Sequence, residues 1–211
     1  MVVYEFMPRG SLNYHLFSKD PRRLLPWEKR VKVAVGMARG LSYLHTRETP
    51  IIYRDFKSSN ILLGQDYTPK ISDFGLAKWG PAATDPCVTS HVVGTVGYVA
   101  PEYHFKGNLY VKSDVYSFGV VLVEMLTGLR AIDKNRPPEQ RDLVEWTKPL
   151  LSVRSKLKRI MDTRLEGKYA IKEASKIAVL AVKCLHQEPQ FRPSMKEVTE
   201  TLEQIGAYYK V

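Results

Sequence analysis

The sequence predicts an α+β domain that is mainly helical, with a few short strands. Three observations carry this. Apolar residues recur at helical spacing through residues 27–46, where Val31, Ala34, Val35, Ala38, Leu41 and Leu44 mark one stripe. Residues 113–126 are almost wholly apolar along Val115, Phe118, Val120, Val121, Val123 and Met125, as suits a buried central helix. The β-branched and aromatic runs, at residues 1–7, within 51–63 and at 69–71, are short.

The elements follow in order. Pro8-Arg9-Gly10 ends the first strand, and Ser11 is placed to cap a short helix reaching Phe17. Residues 19–26 form a polar, proline-bounded loop before the helix over 27–46. Residues 77–99 are rich in Gly, Pro, Thr and Ser and have no strong period; so long a loop inside a domain is usually functional or mobile. The apolar helix ends near Gly128. A charged loop over 133–141 leads to helical pieces at 143–151 and 157–161. Amphipathic helices follow at 171–185 and 194–205, the last with Ser194 as N-cap and Glu197 at the capping-box position. The sequence shows no internal repeat and no low-complexity tract.

Composition narrows the class. At 211 residues, 44% hydrophobic and 26% charged, the chain suits one soluble globular domain. No uninterrupted apolar run is long enough to span a bilayer. Met1-Val2-Val3 reads as neither a myristoylation nor a secretory signal. Cys87 and Cys184 match no metal spacing and read as free thiols of a reducing compartment. The net charge of +10 is spread from Arg9 to Lys210, which suits a solvated surface. Affinity for an anionic membrane is the alternative; nucleic acid is not expected, since no recognition module is present.

The chemistry concentrates in residues 51–102. Arg54-Asp55 is followed by Lys57 and Asn60, then by Asp73-Phe74-Gly75 and Ala100-Pro101-Glu102. This order and spacing match a catalytic loop, a metal loop and the end of an activation segment. The chain resembles the C-terminal lobe of a eukaryotic protein kinase. More narrowly, it resembles the plant receptor-like cytoplasmic kinases, a serine/threonine group, through Tyr53-Arg54-Asp55-Phe56-Lys57-Ser58-Ser59-Asn60, Gly94-Thr95-Val96-Gly97-Tyr98, Leu143-Val144-Glu145-Trp146 and Arg192-Pro193-Ser194-Met195.

The resemblance implies a protein-kinase-like fold. Residues 1–211 would be a partial kinase domain, the hinge strand plus the C-lobe, with residues 73–102 as activation segment. No Gly-x-Gly-x-x-Gly loop and no Val-Ala-Ile-Lys strand occurs, so the N-lobe is expected to be absent. The expected cosubstrate is ATP with Mg²⁺, and Mn²⁺ as an alternative ion. Asp55 would accept the substrate hydroxyl proton, Lys57 would contact the transferring phosphate, and Asn60 and Asp73 would hold the metal through hard oxygen ligands. Tyr4 falls at the gatekeeper position, Glu5 to Met7 resemble the hinge that meets adenine, and Leu62 the residue beneath the ring. Arg54 suits a bidentate grip on an activation-loop phosphate. Thr89 and Ser90 align with the usual sites, Thr84 less well, and Lys78 would add a second cation. Thr95 belongs to the substrate-binding loop and would bond back toward Asp55 and Lys57. Asp114 would accept catalytic-loop N–H groups, and Glu102 with Arg192 would form a buried ion pair. Tyr53 stands where the wider family has histidine; tyrosine is common there in the plant group. The five histidines show no metal spacing.

The expected function is transfer of the ATP γ-phosphate to protein Ser/Thr hydroxyls in plant signalling, in innate immunity or development. The chain alone is expected to be inactive. The alternative is a non-catalytic interaction module or decoy of kinase descent. Expected partners are protein substrates and upstream receptor kinases. The expected location is the cytoplasm, with attachment to the plasma membrane only through a segment N-terminal to this chain.

Overall fold

The computed structural model describes residues 5–81 and 87–209. Among them the helices are α1 (Leu12–Leu16), α2 (Trp27–His45), α3 (Pro101–Lys106), α4 (Val111–Thr127), α5 (Leu143–Leu151), α6 (Arg154–Ile160), α7 (Ile171–Cys184) and α8 (Met195–Gly206). Six strands of two or three residues pair only as antiparallel couples: β1 (Ile51–Ile52) with β4 (Lys78–Trp79), β2 (Ile61–Leu63) with β3 (Pro69–Ile71), and β5 (Val88–Thr89) with β6 (Asn108–Leu109).

Helix α4 is the axis of the core. Every residue from Ser113 to Thr127 is buried, because its apolar side chains cover the whole circumference. Helix α7 packs along it and α8 packs along α2. The α4–α7 approach is close at Gly119: a Cβ there would lie 2.8 Å from the Cys184 Cβ. Only glycine allows that spacing. Gly128, in the left-handed conformation at φ 68°, ends α4 as expected. Helix α8 begins with the Ser194–Glu197 capping box, both halves formed.

A buried ion cluster ties α2 to the segment after α6. The Arg30 guanidinium donates to Asp162 Oδ2 at 2.5 Å, to the Met125 carbonyl at 2.6 Å and to the Leu25 carbonyl at 2.8 Å. Arg164 donates to the same carboxylate at 2.6 and 2.9 Å. Burial opposes ionisation of Asp162, but the Arg164 hydrogen bond and the Arg30 charge outweigh it and hold the carboxyl below its ordinary range.

Several expectations need correction. Residues 1–7 were expected to form a strand; the described part, Glu5 to Met7, joins no ladder among the described residues, and an extended run without a partner is not a strand. Met1 to Tyr4, with the gatekeeper position, and Thr84 lie outside the described residues. Ser11 sits at the N-cap of α1, but its hydroxyl donates to the Asn13 side chain at 2.5 Å and caps no backbone amide. The stretch 77–99 is not loop throughout, since it contains β4 and β5. Helix α3 begins at Pro101, with proline at its first position as helix starts favour.

Candidate active site

The site is built where α4 supports the segment between β1 and β2. Asp114, in the first turn of α4, accepts the Tyr53 N–H on Oδ2 and the Arg54 N–H on Oδ1, each at 2.8 Å. His45 at the end of α2 meets Oδ2 at 2.9 Å. Arg54 holds φ 74°, a left-handed conformation costly for a side-chain-bearing residue. The two N–H bonds to a buried carboxylate fix the turn that carries Asp55.

Asp55 is 7% exposed and both its oxygens are engaged. Thr95 Oγ1 donates to Oδ1 at 2.7 Å. Lys57 Nζ lies 2.7 Å from Oδ2, and Asn60 Nδ2 donates to the same oxygen at 3.1 Å. Lys57 Nζ also donates to Thr95 Oγ1 at 2.8 Å. Asp55, Lys57, Asn60 and Thr95, up to 40 residues apart in sequence, thus form one network.

Asp73 is exposed at φ 59° and accepts the Gly75 N–H at 3.3 Å. Its neighbour Ser72 donates both its N–H and its hydroxyl to the Asn60 carbonyl, each at 2.9 Å. The Tyr53 hydroxyl donates to the Ser72 carbonyl. Burial raises the Tyr53 phenol above its ordinary value. These bonds hold Asn60 and Asp73 side by side. The Asn60 amide nitrogen points at Asp55, which leaves its side-chain oxygen for a ligand, and Asp73 is open to solvent. One amide oxygen and one carboxylate suit Mg²⁺, which keeps other positions for water and phosphate oxygens.

Glu5 and Met7 lie beside the β2–β3 hairpin. Lys70 of β3 pairs with Glu5, the Met7 carbonyl accepts the Gly10 N–H at 3.0 Å, and Ser11 bridges to Leu62. Phe6 is 85% and Phe74 45% exposed.

Arg54 Nη2 donates to Ser90 Oγ at 3.2 Å, to the His91 carbonyl at 3.1 Å and to the Tyr103 hydroxyl at 2.5 Å. Its Nε is buried without a partner. Thr89, in contrast, is exposed in β5 opposite Asn108, and Lys78 sits in β4 opposite Ile52. Neither hydrogen-bonds the Arg54 side chain among the described residues. Glu102 and Arg192 form the expected buried pair, bidentate at 2.8 and 2.7 Å.

Three participants escaped the sequence reading. Tyr103 gathers Arg54, His91 and Val93 around its hydroxyl. Tyr98, three residues past Thr95, donates to Glu124 Oε1 at 2.6 Å, and the Ala131 N–H donates to the same oxygen at 2.9 Å. Glu124 is 0% exposed in α4. A charged residue in the apolar stretch 118–126 was the one available signal. Burial pushes its carboxyl up to about 7; the Tyr98 bond, the nearby Ser58 hydroxyl and the Ala131 N–H oppose the rise.

Glu124 makes the stability of the fold depend on pH. The folded state binds a proton between the ordinary carboxylate range and pH 7 that the unfolded state has lost, so this group's contribution to stability falls as pH rises through that window. Glu124→Gln should therefore gain stability relative to wild type at pH 8 compared with pH 5. The gain should be about 2–3 kcal/mol by linkage. Melting curves of both proteins at the two pH values check this; a difference that does not change with pH would refute it.

The protein kinase domain profile matches residues 1–202. The chain belongs to the protein kinase family. The kinase chain is 56% identical over 206 residues to an "EPD1-interacting receptor-like cytoplasmic serine/threonine-protein kinase" of Nicotiana benthamiana, covering 98% of this chain and 44% of that protein. It is 54% identical to "Probable serine/threonine-protein kinase PBL10" of Arabidopsis thaliana, covering 97% and 50%. It is 52% identical to "Receptor-like cytoplasmic kinase 176" of Oryza sativa subsp. japonica, covering 97% and 52%. The kinase chain spans about half the length of the curated relatives it matches. No helix among its described residues is long and apolar enough to cross a membrane.

Proposed function

We propose that these 211 residues form the hinge and C-terminal lobe of a cytoplasmic serine/threonine protein kinase, with residues 73–102 as its activation segment. The observation that carries this reading is the Asp55–Thr95–Lys57 network. A substrate Ser or Thr hydroxyl would lie against Asp55. Its proton would pass to the carboxylate as its oxygen attacks the γ-phosphorus of ATP and ADP leaves. Lys57 would balance charge on the transferring group. Thr95 would hold Asp55 and Lys57 in register with the bound peptide. Asn60 and Asp73 would hold the Mg²⁺, which neutralises phosphate charge when bound. Glu5, Met7 and Leu62 would border the adenine. Relatives named as receptor-like cytoplasmic kinases, both from plants, are compatible with a role in plant signalling, and upstream receptor kinases would be the partners of such a role.

Ser90 is the better-supported activation site, because it already faces Arg54 while Thr89 does not. A phosphate there would meet a fixed guanidinium with a spare buried nitrogen.

Phosphoryl transfer depends on clamping ATP as well as on the base, and the strand lysine and glycine-rich loop of the family have no counterpart in these residues. The purified 211-residue chain should therefore transfer little radiolabelled phosphate to a peptide. A fusion supplying the N-terminal lobe of a relative should transfer it, carry phosphate at Ser90 by mass spectrometry, and lose transfer on Asp73→Ala. A fusion that folds and binds ATP but transfers nothing would favour the non-catalytic module.

A further inference from the structure

A cavity of about 240 Å³ opens beside the catalytic network, and Lys57, Thr95, Asn13, Phe17, Ser59 and Arg130 are among its lining residues. We propose that Arg130 makes this cavity a subsite for an acidic side chain, carboxylate or phosphate, close to the phosphoacceptor in the substrate. The proposal rests on the kinase reading above and adds the class of sequence the kinase would choose.

Four observations support it. First, the position is right. Thr95, which borders the cavity, bonds Asp55 at 2.7 Å, so a side chain entering here belongs to a residue near the acceptor. Second, the Arg130 guanidinium is held in place. It lies 4.5 Å from the centroid of the Phe17 ring, and stacking of this kind fixes the plane of the fork while leaving its N–H edge free. Third, it is uncommitted. Among the described residues Arg130 forms no ion pair and its guanidinium donates no hydrogen bond, whereas Lys57 is already engaged by Asp55 and Thr95.

Fourth, no acidic residue lines the cavity. Glu124 feels the Arg130 charge but is 0% exposed and does not line the cavity; its Oε1 accepts from Tyr98 and Ala131, and its Oε2 is buried without a partner. A lysine or arginine in the substrate would find no carboxylate on the cavity wall and would face Arg130. A carboxylate or phosphate would find a pre-oriented bidentate donor, with Asn13 and Ser59 as neutral partners.

The test is fluorescence anisotropy with the 211-residue chain and labelled peptides that differ only around one serine. The flanking residue is Asp, phosphoserine, Ala or Arg. The Asp or phosphoserine peptide should bind about tenfold more tightly than the Ala peptide, the scale of one well-placed charged pair. Whichever of the two binds more tightly identifies the source of the negative charge. Arg130→Glu should abolish the preference or turn it toward the Arg peptide, while Arg130→Ala should flatten it, both with unchanged melting temperature. Equal binding of the Asp, phosphoserine and Ala peptides, or a preference that survives Arg130→Glu, overturns the proposal. The kinase reading is judged separately, by whether the wild-type fusion transfers phosphate to the Ala peptide at all.

Discussion

Replacing Asp55 with asparagine, in a fusion that supplies the N-terminal lobe of a relative, should lower turnover by about 10²- to 10⁴-fold, the usual worth of a general base. The shape of the side chain is kept. What changes is proton acceptance and charge. Asparagine would also present an amide nitrogen or a neutral oxygen where Oδ2 now meets Lys57 and Asn60, so part of the network would lose its acceptor. Steady-state rates with a radiolabelled peptide check the prediction, with ATP affinity measured alongside to separate chemistry from binding. Wild-type turnover in the variant would remove Asp55 from the mechanism.

The largest effect on stability is expected at Asp162. Its carboxylate is shared by Arg30 and Arg164, and the side chains of Asp162 and Arg30 are 3% and 1% exposed. Asp162→Ala would leave the Arg30 guanidinium buried without its counter-charge, which should cost about 3–5 kcal/mol. For a domain of this size that is a fall of roughly 6–20 °C in melting temperature. Because the folded-state pKa is depressed, this contribution is full above the ordinary carboxylate range and is lost as pH falls through the depressed value. The exposed Glu166–Lys168 pair offers a control, and Glu166→Ala should leave the melting curve where it is. Equal melting of wild type and Asp162→Ala would show that the cluster has no net worth.

Much of this was legible in the sequence, and the reasons differ by element. Helices α2, α4, α5, α7 and α8 have long periodic or apolar stretches and recognisable ends, such as the Ser194–Glu197 box and Gly128. Asp55, Lys57 and Asn60 lie within six residues, so spacing alone could bring them together. Strands β4 and β5 were not legible. Two residues carry no period, and their partners β1 and β6 are set by the tertiary fold. The Tyr98–Glu124 and Arg130–Phe17 contacts were hidden for the same reason: each joins segments far apart in the chain. Thr89 and Ser90 are neighbours with similar side chains, and only the strand pairing of Thr89 turns one toward Arg54 and the other toward solvent.

The Tyr53–Ser72 bond has a consequence for how the protein would respond to acidification. It is the cross-brace between the loop bearing Asp55 and the loop bearing Asp73. An imidazole in that place would gain or lose a proton near neutrality, and its hydrogen-bonding role would change with it. A phenol whose ionisation is pushed above its already alkaline value stays a donor across the whole physiological range. The brace is therefore proton-blind, and the spacing between Asn60 and Asp73 is insulated from pH swings near neutrality that would reach a histidine there.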